Sequence, residues 1–227
     1  MTVTAPYGGR VAEHGLSGSH RAILAAVPDR ARVLDVGCAT GYLAARLSAR
    51  GCRVVGVEPD AVAAAQAKRH CERVIVGGID SPEARGELAG ETFDCVVFGD
   101  VLEHVVDPWE TLRYARELVS PGGTAVVSLP NVAAWPVRVG LLAGRFEYVD
   151  FGLLDRTHLR FFTRRGAHEL VRGAGFVIEH ERFVHMERAP GPVRHVLRLP
   201  MSIMDRALAR LLPGLFAQQI VMRLRPS

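Results

Sequence analysis

Two hydrophobic periods alternate along the chain. Compact runs of Val, Leu, Ile and Phe at 32–36, 53–57, 73–76, 93–98, 124–129, 176–184 and 218–224 predict β-strands. Ala/Arg/Leu segments with apolar residues three and four apart predict amphipathic helices at 19–27, 42–50, 60–70, 108–119 and 163–173. Ser19 and Thr163 stand where helix N-caps are expected, since a hydroxyl there can accept from the free N–H groups of a first turn. Pro121-Gly122-Gly123 predicts a turn just before the fifth strand. Strands alternating with helices predict an α/β fold on a mainly parallel sheet.

Two segments interrupt the alternation, 132–150 and 190–213. The second places Val196, Leu199, Ile203, Met204, Leu208 and Leu211 at largely helical spacing, with Arg194, Arg198, Arg206 and Arg210 on its polar side. Both read as lid insertions of one domain spanning 1–227. The second is expected to pack on its own domain; peripheral contact with a membrane surface is the alternative.

Composition narrows the partners. The chain has 227 residues, 48% of them hydrophobic, enough for one domain with a large core. A net charge of +4 admits an anionic partner, but the basic residues are scattered and Lys68 is the single lysine. No basic run interleaved with aromatics marks a nucleic-acid surface, so a small-molecule partner is expected. Cys38, Cys52, Cys71 and Cys95 form no CxxC pair, which fits a reducing cytoplasm. No leader-like or membrane-length apolar run is present. The sequence is silent on oligomeric state.

VLDVGCATGY (33–42) runs from a strand through a glycine turn into a helix. Gly37 and Gly41 let backbone approach a ligand where a Cβ would clash. Glu58 ends the second strand, placed for a carboxylate to accept from both hydroxyls of a ribose. A dinucleotide site would carry GxGxxG, whereas this loop is GxxxG preceded by Asp35, which suits a cationic amino group better than a phosphate. A nicotinamide enzyme is therefore the second class.

VLDVGCATGYLA, VVGVEPD, FDCVVFGDVLEHVVDP and SPGGTAVVSLPN, in that order, resemble the motifs of class I S-adenosylmethionine-dependent methyltransferases. The resemblance implies a doubly wound, Rossmann-like sheet of seven strands, mostly parallel with an antiparallel last strand, and S-adenosylmethionine as cofactor. It assigns Asp35, Gly37, Cys38 and Gly41 to the methionine part and Glu58 to the ribose. Pro59 and Ile79 would flank the adenine, and Gly99 and Asp100 complete the cofactor set. The family's acidic residue after the third strand is missing: Gly78 stands there, with Asp80 two residues later. Either Asp80 or the backbone meets the adenine amino group.

FGDVLEH (98–104) supplies Asp100, Glu103 and His104 just after the fourth strand. If 101–105 is helical, the three side chains share one face. LLDRTHLRFFT (153–163) adds His158 before an aromatic pair. The pattern is similar to that of metal-dependent methyltransferases, among them the ubiquinone-pathway O-methyltransferases and the enzymes that methylate the terminal ribose of small RNAs. That similarity implies a divalent ion (Mg, Mn or Zn) held by Asp100, Glu103, His104 and His158, with Glu103 and the two histidines as the catalytic candidates.

Energetics say when an ion is needed. Ionising a phenol of pKa about 10 costs roughly 4 kcal/mol at pH 7, within reach of a histidine base. An aliphatic hydroxyl, near water's pKa of about 15.7, costs on the order of 12 kcal/mol, and a bound divalent ion can lower such a pKa to about 7. A hydroxyl acceptor on a sugar, polyol or natural product is therefore expected. The alternatives are a metal-free N-, C- or phenol O-methyltransferase with a histidine base, and a non-catalytic cofactor-binding subunit. Asn131, Trp135 and Arg160 are the substrate candidates. Phe146, Tyr148 and Phe151 could stack on a ring, and Arg138 and Arg145 could receive an anion.

Overall fold

The computed structural model describes residues 15–184 and 211–227. Helix α1 is Gly18–Ala26, followed by β1 (Arg32–Val36), α2 (Tyr42–Ser48), β2 (Arg53–Glu58), α3 (Ala61–Ala67) and β3 (Arg73–Val76). Then come α4 (Pro82–Leu88), β4 (Phe93–Gly99), α5 (Pro108–Glu117), β5 (Val119–Pro130), α6 (Trp135–Leu142), α7 (Arg164–Gly173), β6 (Phe176–Val184), α8 (Pro213–Phe216) and β7 (Gln219–Pro226). The strands form one seven-stranded sheet in the order β3-β2-β1-β4-β5-β7-β6.

β1 pairs in parallel with β2 on one side and β4 on the other. β7 inserts antiparallel between β5 and β6, as the sequence resemblance implies. Strand order reverses between β1 and β4, and ligands of such sheets bind beyond the carboxyl ends of the strands at that reversal. The two-residue period of the strands divides the core. Leu34 and Val36 of β1 face one apolar cluster, whereas Val33 faces a second. Both faces of the central strands are covered, which is why they read as continuous apolar runs.

Local chemistry sets the helix starts. Asp60 Oδ1 accepts from the N–H groups of Val62 (2.8 Å) and Ala63 (3.0 Å), and Thr163 Oγ1 accepts from Gly166 N–H at 3.1 Å. The first helix differs from expectation: Ser17, not Ser19, is the cap. Ser17 Oγ accepts from His20 N–H and Ser17 N–H donates to His20 Nδ1, each at 3.2 Å, a reciprocal box that outcompetes a single hydroxyl. Ser19 is buried instead. Helix α4 is an element the hydrophobic period missed, although Ser81 caps it and Pro82 opens it.

Other expectations shift. The glycine turn at 121–123 lies within β5: Val119 pairs with Phe93, the chain bulges, and pairing resumes between Thr124 and Cys95. Segment 132–150 contains α6, and an isolated bridge joins Asn131 to Phe162 at its base. Of the segment 190–213, residues 190–210 lie outside the described residues. Among the described residues no helix is long and apolar enough to cross a membrane.

Candidate active site

The β1–α2 loop is bent by three left-handed residues, Gly37 (φ 68°), Ala39 (φ 47°) and Gly41 (φ 80°). Its amides tie back to β2: Gly37 and Cys38 N–H donate to Val57 O at 2.8 and 3.2 Å, and Ala39 N–H donates to Glu58 Oε2 at 2.8 Å. Glu58 Oε1 accepts from Asp60 N–H at 2.9 Å, so one carboxylate braces both loops. At Gly41 a Cβ would come within 2.9 Å of Ala67 Cα, so glycine is required by packing as well as by φ.

These loops wall a cavity of about 510 Å³ beyond β1, β2 and β4. Gly37, Glu58, Pro59 and Ile79 line one part of it, and Asp80, Gly99, Asp100 and His104 continue the wall. Asp80 Oδ1 lies 2.5 Å from the position a Cβ at Gly78 would take, so the Asp80 carboxylate fills the space that a side chain at 78 would occupy.

Three residues expected at the cofactor, Gly41, Cys38 and Asp35, are not part of that lining. Cys38 is buried in a small apolar cluster with Ala64, Ala67 and Val74, so its thiol belongs to the core and only its backbone shapes the loop. Asp35 is 1% exposed, and its Oδ2 has no hydrogen-bond partner among the described residues. Burial, then the neighbouring Glu58 charge, pushes the Asp35 carboxyl up to about 7. Burial likewise raises Glu58, against the backbone N–H groups of Asp60 and Ala39.

The turn after β4 is not helical. Asp100 takes φ 60° and residues 102–104 form a turn closed by His104 N–H to Val101 O at 2.9 Å. Non-local bonds hold Asp100 there: Ser128 Oγ donates to Oδ1 at 2.5 Å and Ser19 Oγ lies 3.4 Å from Oδ2. The shared helical face expected for Asp100, Glu103 and His104 is therefore not formed.

What forms instead joins residues far apart in sequence. Leu159 and Arg160 N–H donate to Glu103 O at 2.8 and 3.1 Å, docking segment 155–160 onto the turn. Ligand atoms of Glu103, His104 and His158 then lie within 4.8 Å of one another, and Asp100 is not in the group. His104 Nδ1 faces Thr157 O at 3.1 Å. In a neutral ring that nitrogen carries the hydrogen, leaving the Nε2 lone pair free. Asp155, which the sequence reading missed, is buried and accepts from Thr157 N–H (2.8 Å) and Oγ1–H (2.6 Å).

Glu103 is 1% exposed, and its Oε2 has no hydrogen-bond partner among the described residues. Burial, followed by the charges of Asp100 and Asp155, lifts its carboxyl well above the usual range. Burial, followed by His104, lowers His158. One orphaned carboxylate oxygen beside two imidazoles is a donor set suited to a divalent cation such as zinc or manganese. The described residues fit that group.

The substrate candidates are placed differently. Asn131 is fully buried; its Nδ2 donates to Ala217 O at 2.8 Å and Gly214 O at 3.3 Å, and its Oδ1 accepts from Ala133 N–H at 3.2 Å. It clamps backbone from a fully buried position. Trp135 opens α6 and is not part of the cavity lining, and one guanidinium nitrogen of the exposed Arg160 donates to Val106 O at 2.8 Å. A file of rings does lead outward from the cluster: His158 to Phe161 (6.0 Å between centroids), then Phe161 to Phe146 (5.7 Å) and Tyr148 (6.3 Å). His20, Tyr42 and Thr157 also line the cavity, and no local pattern in the chain marks them.

The profile of a family described as a methyltransferase domain matches residues 12–181. Two curated relatives are each described as a ubiquinone biosynthesis O-methyltransferase. The one from Cereibacter sphaeroides (strain KD131) is 33% identical over 149 residues, covering 63% of this chain and 59% of the relative. The one from Azorhizobium caulinodans is 33% identical over 150 residues, covering 64% and 58%. The matched region thus spans a little under three fifths of those relatives. Among solved structures, a Thermotoga maritima S-adenosylmethionine-dependent methyltransferase, described as a possible histamine N-methyltransferase, superposes with TM-score 0.64 at 20% identity, over 97% of this chain and 94% of that one. A Burkholderia thailandensis 1,6-didemethyltoxoflavin-N1-methyltransferase with bound S-adenosylhomocysteine gives 0.60 at 21%, over 97% and 83%. At such identities these two establish the fold.

Proposed function

The chain belongs to the methyltransferase-domain family, and we propose that it moves the methyl group of S-adenosylmethionine to a hydroxyl of a ring-bearing small molecule. The observation that carries this reading is the shared edge: His104 belongs both to the nucleoside-sized cavity and to the cluster with Glu103 and His158. A sulfonium donor and a hydroxyl acceptor would therefore meet at one wall.

Methyl transfer breaks the sulfonium S–CH₃ bond as the acceptor oxygen forms its C–O bond, in line and from about 3 Å. The acceptor proton must leave. Glu103, His104 and His158 would hold a divalent cation, which when bound supplies a lowered pKa to a coordinated hydroxyl. The chain's own part is to fix the two imidazole lone pairs and the buried carboxylate. For His104 the Asp155–Thr157 turn does this, through the Thr157 carbonyl. The rings of Phe161, Phe146 and Tyr148 offer a flat surface to the body of the acceptor, whether sugar or phenol.

The same tautomer supports a metal-free second reading, in which the His104 Nε2 lone pair takes the proton of a phenol directly. The names of the curated relatives favour O-methylation in either case. The test is transfer of a labelled methyl group to catechols and to sugars with vicinal hydroxyls, in EDTA and after Mg²⁺, Mn²⁺ or Zn²⁺ is restored. The proposal expects turnover that chelation abolishes and an ion restores. Full turnover in EDTA selects the histidine base. No turnover on any hydroxyl, with donor bound, overturns O-methylation.

A further inference from the structure

We propose that Cys38 and Cys71 form an oxidation site, a dithiol that hydrogen peroxide converts to a disulfide and that passes the change to the β1–α2 loop. The inference goes beyond methyl transfer; only its effect on donor affinity rests on the function proposed above. The two residues stand 33 positions apart, without CxxC spacing, and meet over β2. Gly56 lies inside β2 between Val55 and Val57, and sulfur takes the space of its missing side chain. The point where a Cβ would stand is 2.6 Å from Cys38 Sγ and 3.3 Å from Cys71 Sγ. A glycine inside a strand is suited to such a close approach. Cys71 also packs on the small cluster of Cys38, Ala64, Ala67 and Val74. Both are free thiols. They hydrogen-bond to each other, and that bond, followed by burial, holds the Cys38 thiol above its ordinary range.

The two thiols differ in access. Cys38, Cys52 and Cys95 are buried, and Cys71 alone among the four cysteines is partly exposed, so an oxidant reaches Cys71 first. Cys71 follows α3 in a turn held by its own N–H to Ala67 O (3.0 Å) and by Ser48 Oγ–H to His70 O (2.9 Å). Its thiolate attacks one peroxide oxygen, the O–O bond breaks, and a sulfenic acid remains. The departing hydroxide takes up the proton that the thiol gave to solvent. The Cys38 sulfur then attacks the Cys71 sulfur; the S–O bond breaks, and the Cys38 hydrogen leaves with the hydroxyl as water. Two thiols thus lose two electrons, and one peroxide becomes two waters. Ala39 O, at 3.9 Å, is only a weak competing acceptor for the Cys38 hydrogen. A disulfide needs its sulfurs about 2.05 Å apart, closer than free thiols approach, so bond formation draws the two backbones together. Cys38 lies between Gly37 and Ala39, which both line the cavity, so its movement displaces that wall.

The test treats the reduced full chain with hydrogen peroxide, caps the remaining thiols with iodoacetamide and maps peptides without reductant. The expected product has lost two hydrogens, carries one link between 38 and 71, and keeps Cys52 and Cys95 as thiols. Cys71→Ser is expected to leave the other three cysteines unoxidised at the same dose. Cys38→Ala is expected to stop at the sulfenic acid of Cys71, which dimedone labels. Calorimetry with S-adenosylhomocysteine should find the oxidised chain roughly tenfold weaker, on the order of one lost hydrogen bond to a charged group, and recovery after phosphine reduction. Absence of the 38–71 link, or a link between Cys52 and Cys95 in its place, overturns the proposal. The wild-type map decides this even where a variant fails to fold. A 38–71 link with unchanged affinity overturns the coupling to the loop. A reduced chain that does not bind S-adenosylhomocysteine refutes the donor reading instead, and the peptide map still judges the dithiol.

Discussion

The rings of His104 and His158 stand edge to face, with centroids 4.8 Å apart, although 54 positions separate them in sequence. They meet because the backbone of segment 155–160 docks on Glu103 O. That contact joins the buried Glu103 carboxylate, whose Oε2 has no hydrogen-bond partner among the described residues, to two imidazoles, and it makes the site's energetics testable without knowing the acceptor.

A cation that binds only the folded chain stabilises it by mass action. At about 100 times its dissociation constant, Mn²⁺ or Zn²⁺ is expected to raise Tm by roughly 5 °C or more. His158→Ala and Glu103→Gln should each abolish the rise. Asp100→Asn, outside the cluster, should leave it in place.

Asp35 gives a pH prediction. Its carboxyl lies near 7 in the fold and at the ordinary 3.8 when unfolded. Between those values the unfolded chain has released the proton and the folded chain retains it, so stability falls as pH rises through this window. Asp35→Asn removes that slope. Chemical denaturation at pH 8 should find the variant more stable by an amount on the order of 2–4 kcal/mol. On the proposed function its affinity for S-adenosylmethionine should fall as well, an outcome that tests the role the sequence resemblance assigns to Asp35.

Gly41→Ala should be among the most damaging single changes in the nucleotide loop. It combines φ 80° with a Cβ placed 2.9 Å from Ala67 Cα, a backbone atom that cannot step aside. Urea denaturation is expected to show a loss of about 2 kcal/mol or more.

Asn131→Ala separates a clamp from a substrate ligand. The change leaves the Ala217 carbonyl buried without its donor, and a loss of about 1–3 kcal/mol is expected in urea. Once an acceptor is in hand, its KM in the surviving folded enzyme should stay within about twofold of wild type. A tenfold rise in KM without loss of stability would restore Asn131 to the acceptor site.

The sheet was legible because burial on both faces leaves a local trace: Leu34 and Val33 are apolar for different clusters, yet both appear in one run. The glycine loop was legible because sharp backbone bends demand particular residue types, and Glu58, singled out for a ribose, is found bracing the loops after β1 and β2. Helix α4 was visible in principle through Ser81-Pro82-Glu83, but its apolar face is only Ala84 and Leu88. The turn at 101–105 was not legible as such. Its geometry comes from Ser128, which binds Asp100 from a different strand, and no spacing rule carries that information. Asn131, a substrate candidate just beyond the fifth strand, is held by the loop at 214–217 for the same reason, whereas His20, which no motif singled out, lines the cavity.

A crystal structure grown with saturating S-adenosylhomocysteine tests the donor site itself. One nucleoside is expected in the cavity beyond β1 and β4, its ribose hydroxyls on Glu58 and its adenine between Pro59 and Ile79. Nucleoside density anywhere else, or none in a chain that is folded and saturated, would contradict it.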